Sequence, residues 1–222
     1  MKDFLEELEC DLGWRILKRS AVRFVVCVYL IWLLIFSFKA EWNEHRPITG
    51  EYNDYVSIQG VVVQEDIRNF ENALDKLPEW IVTQHYENGG NIFLKSEEFP
   101  NEDNGELGDN ERVLGTYNYK TQNITVLKDC DVMETTLFHE FGHYVDNLYS
   151  ITETEEFKEI FVNERESYES KVDGNDYHIS CEKEYFAGAF SLYIAGEKKL
   201  KKYCPNTYEL ISNVVNDTKT SR

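Results

Sequence analysis

A glycine-rich phosphate loop is missing from this 222-residue sequence, and with it any support for nucleotide binding. Basic residues are scarce. The 23 Lys and Arg stand against 41 Asp and Glu, a net charge of −18. So negative a chain does not suit a nucleic-acid partner, because the phosphate backbone demands Lys and Arg. Cysteines number five. Cys10 and Cys27 lie before or within an apolar run, which leaves Cys130, Cys181 and Cys204. One disulfide plus one free thiol fits that odd set, but no disulfide framework is implied. No internal repeat is visible. What is present is 42% apolar, 29% charged and 14% aromatic residues, the composition of a globular chain. The length allows one domain with appendages.

The charge is unevenly placed. Through Phe38 there are five basic and five acidic residues, and from Ala40 onward the chain carries −19. Phe24 to Phe36 is an apolar and aromatic run of 13 residues, and residues 21–38 make 18. As a helix these 18 span roughly 27 Å, just enough for a bilayer core with Arg23 reaching the interface. Arg15, Lys18, Arg19 and Arg23 precede the run, which puts the N-terminus in the cytoplasm and the acidic bulk outside. A cleaved signal peptide is the alternative, although cleavage after Ala40 would leave bulky Phe38 where a small residue is expected. A buried core helix is the third reading, but nothing else in the chain offers a face for it.

Ile67, Phe70, Leu74 and Leu77 recur at helical spacing from Gln64, and Pro78 stops that helix. Trp80–Val82 and Asn91–Lys95 are expected as strands around an Asn88–Gly90 turn. Residues 96–112 are acidic and turn-rich, a surface loop. Val113–Tyr117 and Ile124–Leu127 predict a hairpin around Asn118–Asn123. Helices follow: one from an Asp131 cap, with Glu134 completing a capping box, to about Tyr149; one over 153–169; one from about Ser180 to Gly196; and one after Pro205 through Tyr208, Ile211 and Val215. Strands first and helices after predict an α+β fold, a small mixed sheet packed on one helix with a helical C-terminal half.

His139-Glu140-Phe141-Gly142-His143 is H-E-x-x-H. On a helix, positions i and i+4 project side by side, so both imidazoles reach one metal ion. Neutral imidazole suits Zn2+. Glu140 lies at the edge of the same face, placed to take a proton from water that zinc has acidified. Leu137, Phe138, Phe141 and Leu148 make the segment apolar, where unpaired polar groups are costly. A catalytic zinc site takes a third protein ligand and keeps one position open. His178, Glu182 and Glu184 are the candidates. Glu184 is favoured, because it lies beside the core-facing Phe186, Ala187 and Phe190. Cys181 would be a fourth ligand and would close the site.

The stretch from Thr136 to Asp146, followed by Glu184-Tyr185-Phe186-Ala187, resembles the anthrax lethal factor catalytic domain and the secreted Pro-Pro endopeptidases of clostridia and bacilli. The similarity covers roughly residues 58–216. It implies a gluzincin-like zinc metallopeptidase with His139, His143 and Glu184 as ligands and Glu140 as general base. It also implies that Tyr177, seven residues before Glu184, donates to the oxyanion of the tetrahedral intermediate, a task a neutral phenol suits. One departure stands out. The family often has Glu four residues after the third ligand, beside a zinc histidine, and here that residue is Gly188. A ligand histidine needs a partner for its other nitrogen, so one must come from elsewhere.

The organisation expected is a cytoplasmic segment over 1–20, a transmembrane or signal-anchor helix over 21–38, a linker over 39–57 and a metallopeptidase domain over 58–222. The function expected is zinc-dependent hydrolysis of a protein or peptide outside the cell, by a membrane-anchored or secreted enzyme. The acidity favours substrates with basic residues. Two other readings stand beside it: a cytosolic stress-response metallopeptidase cleaving a repressor, and a catalytically silent zinc-fold binding protein, against which an intact Glu140 argues.

Overall fold

The structure, a computed structural model, describes residues 54–96, 113–128 and 132–217. The apolar run at 21–38, most of the acidic loop, Cys130 and Asp131 lie outside the described residues. Among the described residues no helix is long and apolar enough to cross a membrane.

β1 (Val56–Gln59) begins inside the stretch expected as linker. α1 (Gln64–Leu74) buries Ile67, Phe70, Ala73 and Leu74 along one stripe, as the spacing predicts. Trp80–Val82 is not a strand. It opens α2 (Glu79–Glu87), whose Ile81, Val82 and His85 are buried. The Asn88–Gly90 turn therefore ends a helix. β2 (Ile92–Lys95), β3 (Gly115–Tyr117) and β4 (Ile124–Leu127) complete the sheet. Its order is β1-β2-β4-β3. β1 and β2 pair parallel, as do β2 and β4, while β3 and β4 form the expected antiparallel hairpin. The strands do not all precede the helices, because α1 and α2 form the crossover between the parallel pair β1 and β2.

Five helices follow: α3 (Met133–Tyr149), α4 (Glu155–Ser167), α5 (Glu182–Ile194), α6 (Lys198–Tyr203) and α7 (Pro205–Asp217). Val132, the described residue at the N-cap of α3, makes no side-chain cap bond, and Glu134 accepts from Lys76. Ile92, Leu94, Ile124 and Val126 of the sheet are fully buried, as are Leu137, Phe138, Phe141 and Val145 of α3. α3 packs against β3 and β4 on one side and along α5 on the other. At the crossing of α3 and α5, a Cβ added to Gly142 would lie 2.7 Å from Ala187 Cα. The two backbones touch there, and only glycine allows it.

Polar groups fix the ends of these helices. Asp146 is buried and accepts from Thr152 N at 2.8 Å and Thr152 Oγ1 at 2.9 Å. It thereby ties down the turn after α3, where Ser150 takes φ 52°. Glu164 of α4 is buried and reaches the start of α7. It accepts from Asn206 N and Asn206 Nδ2, both at 2.9 Å, Thr207 N at 3.0 Å and Thr207 Oγ1 at 2.7 Å. Cys181 and Cys204 are both free thiols, so no disulfide joins them.

His85 carries a pH consequence. It is fully buried, with its ring edge-on to Phe141 and Tyr144. Its Nε2–H donates to the Gln122 carbonyl at 2.7 Å, and its buried Nδ1 has no hydrogen-bond partner among the described residues. Burial pushes its pKa down to about 4, against a smaller upward pull from the Gln122 bond. The unfolded chain binds this proton near pH 6.5 and the folded chain only near pH 4. Stability is therefore lost as pH falls through that window, by up to about 3 kcal/mol. Urea midpoints of the metal-free protein at pH 7 and pH 4.5 should show the loss, and His85→Phe should lessen it. Parallel pH curves for the two proteins would refute the assignment.

Candidate metal centre and cleft

α3 presents His139 and His143 one turn apart, and α5 brings Glu184 to meet them. His139 Nε2 and His143 Nε2 are 3.1 Å apart. Glu184 Oε2 lies 3.0 Å from the first and 3.5 Å from the second. Ligand atoms of all three residues fall within 4.8 Å of one another. Two nitrogens on one tetrahedral zinc, each about 2.05 Å from it, would lie ~3.3 Å apart. Two imidazoles and one carboxylate also leave a fourth position open. The donor set fits zinc. Glu184 is the candidate that the fold delivers, whereas His178 and Glu182 do not join this group.

The electrostatics follow from burial and from these contacts. Burial alone would raise the Glu184 carboxyl, but the bonds to His139 and His143 outweigh it and hold the group well below the usual carboxylate range. Burial drives His139 down to about 4, against the pull of Glu184. For His143, Glu184 together with the charges of Glu140 and Asp146 overcomes burial and raises the pKa. Glu140 is buried beside the triad, and desolvation pushes it up to about 7. A divalent cation beside it would pull it back down.

Tyr177 stands on the 3-10 turn Asp176–Ile179, 42% exposed, with its ring 6.4 Å from that of His139. Burial first, and then the Glu184 charge, raise its pKa, so it is a neutral phenol at the rim. Asn175 Oδ1 accepts from Tyr177 N and fixes the turn. His139, Glu140, His143, Glu184 and Tyr177 thus lie around one place.

Three further features were missed. The Tyr119 hydroxyl lies 3.3 Å from His143 Nδ1, a partner for that ring's other nitrogen. It comes from the hairpin turn, where no helical period points to it. His178 Nδ1 and Asp173 Oδ2 are 2.5 Å apart, and the His178 ring stacks on that of His139. The remaining feature is how close β3 comes to Glu140. A Cβ on Gly115 would lie 2.5 Å from Thr136 Cγ2 and 2.7 Å from Glu140 Oε1.

β3 is an edge strand among the described residues. Asn118 N donates to Asn123 O and Leu127 N to Leu114 O. By antiparallel alternation Thr116 also bonds β4, so the N–H and C=O of Gly115 face the open edge. The register runs unbroken through Gly115, which therefore marks no bulge. A cleft of about 520 Å³ lies beside it, lined by Leu114, Gly115, Thr136, His139, Glu140 and Tyr177 among others.

Comparison with known proteins agrees with the geometry. The family described as "Anthrax toxin lethal factor, N- and C-terminal domain" matches residues 119–214, from Tyr119 through the whole triad. Among solved structures, the Pro-Pro endopeptidase PPEP-2 from Paenibacillus alvei is similar, with TM-score 0.59 and 26% identity. That match covers 73% of this chain and 98% of the other. No curated protein matches.

Proposed function

We propose, from the kinship of this chain with anthrax lethal factor and the Pro-Pro endopeptidases, that it is a zinc-dependent endopeptidase. The observation that carries the reading is the convergence of His139, His143 and Glu184 with Glu140 beside them. His139, His143 and Glu184 would hold the ion. Bound zinc would supply a Lewis acid that acidifies water and polarises the scissile carbonyl. Glu140 takes the proton from the attacking water at its carboxylate and passes it to the leaving amine. Tyr177 donates its phenolic O–H to the oxygen on which charge develops. Incubating the purified chain and zinc with a peptide library, read by mass spectrometry, tests this; no cleavage in any pool would refute it.

The substrate is held extended along β3, paired with the N–H and C=O of Gly115, a form of strand addition. Two substitutions separate the steric from the pairing role. Gly115→Ala places a methyl against Glu140 and should lower kcat at normal zinc content. Gly115→Pro does this and also removes the N–H, so its KM should rise as well, by about tenfold if one backbone bond is lost. Steady-state kinetics check both, and a KM in Gly115→Pro equal to that in Gly115→Ala would exclude pairing through this N–H. The net charge of −18 favours substrates bearing basic residues, with cleavage slowing as salt rises.

We propose that the catalytic part stands outside the membrane, with the apolar run over 21–38 anchoring the chain or cleaved on export. Protease added to intact cells should then degrade the portion beyond residue 40 and spare the first 20 residues. Full protection in intact cells would favour a cytosolic enzyme.

A further inference from the structure

The two histidines of the triad are held differently. His143 Nδ1 has the Tyr119 hydroxyl at 3.3 Å. His139 Nδ1 is buried and, among the described residues, has no hydrogen-bond partner. A zinc histidine ordinarily gains its orientation from a bond at that nitrogen, so something else must fix this ring. The His178 ring lies over it, with centroids 5.1 Å apart and planes inclined by 28°. No other described aromatic ring stacks on His139: His143 meets it edge-on at 87°.

His178 is itself locked. Its Nδ1 is 2.5 Å from Asp173 Oδ2. Asp173 is placed by the π-turn Tyr168–Val172 that ends α4, through a bond from Asp173 N to Tyr168 O. The base of the side chain lies close to Gly188. A Cβ there would come 3.0 Å from His178 Cγ and 2.8 Å from the Tyr168 hydroxyl. The missing side chain at 188 is thus the space that His178 uses.

We propose that His178, fixed by Asp173, is the positioning residue for His139, holding this ligand by ring stacking where its partner His143 is held by a hydrogen bond. The proposal rests on the reading of the triad as a zinc site. His178 acts through His139 and does not ligate. Its contribution depends on a flat ring over the imidazole and not on a nitrogen aimed at it.

The test uses the full chain and zinc affinity measured by competition with a chromophoric chelator. His178→Ala should weaken zinc binding by about 10–100-fold, the range typical for removal of a support behind a ligand. His178→Phe keeps a ring over His139 and should recover affinity to within ~3-fold of wild type. Gly188→Ala crowds His178 and should also weaken binding. Combined with His178→Ala it should add nothing further, because the two act through one contact. With Co2+ as the probe, the visible spectrum of His178→Ala should shift from that of wild type and His178→Phe. Melting of the metal-free proteins reports separately on folding. Wild-type affinity in His178→Ala would overturn the proposal. So would a folded His178→Phe as weak as His178→Ala. A wild-type chain that takes up no zinc would overturn this proposal and the zinc reading together, whereas binding indifferent to His178 overturns this one alone.

Discussion

Glu140→Ala should bind zinc as tightly as the parent chain and cleave peptide about 10³-fold more slowly, within the range that a positioned proton acceptor contributes. The two effects separate because Glu140 stands outside the group whose ligand atoms converge. Its carboxylate lies against the Gly115 backbone, within the lining of the cleft. Removing it relieves crowding there and opens no gap between α3 and α5. His139→Ala and His143→Ala should behave oppositely and lose the metal, since two protein ligands seldom retain zinc against a chelator. Metal analysis and single-turnover kinetics on the same preparations decide the matter. Zinc retained in both histidine variants would remove the site from this part of the molecule. Turnover retained in Glu140→Ala would leave the site and remove the base.

Glu164→Ala should cost about 3 kcal/mol of stability and lower the melting temperature by roughly 10 °C. The residue lies far from the chemistry in function, and its effect is mechanical. Its carboxylate satisfies two backbone N–H groups at the start of α7 and two side chains there. Those N–H groups have no partner within their own helix, and a carboxylate also complements the positive end of the helix. Alanine leaves the buried Thr207 hydroxyl and N–H without that acceptor, although Tyr185 still reaches Thr207 Oγ1 at 2.8 Å. Glu164→Gln keeps one acceptor oxygen and should recover part of the loss. Calorimetric melting of the three proteins measures this. A midpoint for Glu164→Ala within about 2 °C of the parent would show that solvent replaces the carboxylate.

Local signals were legible where one residue pattern had one structural answer. The H-E-x-x-H helix, its end near Tyr149, the 115–127 hairpin and α1 all follow from period and punctuation. Trp80–Val82 misled because tryptophan and β-branched residues favour strands. Burial of Ile81, Val82 and His85 along one helical face overrode that preference. α6 was invisible because Lys198–Tyr203 buries only Leu200. β1 was hidden because its pairing partner Ile92–Lys95 lies beyond two helices, and parallel pairing leaves no local trace. The cluster of His139, His143 and Glu184 was legible through spacing and resemblance. The supports behind it were not, since Tyr119 and Asp173 sit in turns whose side chains are aimed by tertiary contacts.

The contact between Gly142 and Ala187 also sets the calibre of the candidate metal site. Gly142 lies three residues from His139 and Ala187 three from Glu184, so the ligands hang from the two helices at equal arms, about 4.5 Å along each axis. A methyl at 142 would force α5 away from Ala187 Cα, which it would otherwise meet at 2.7 Å. The Glu184 carboxylate would back off from both imidazoles by a comparable few tenths of an ångström. A shift of that size matters where a zinc–nitrogen bond is only ~2.0–2.1 Å long. A residue that touches neither imidazole nor carboxylate thus sets how closely they approach, and variation at position 142 would appear first as weakened metal binding.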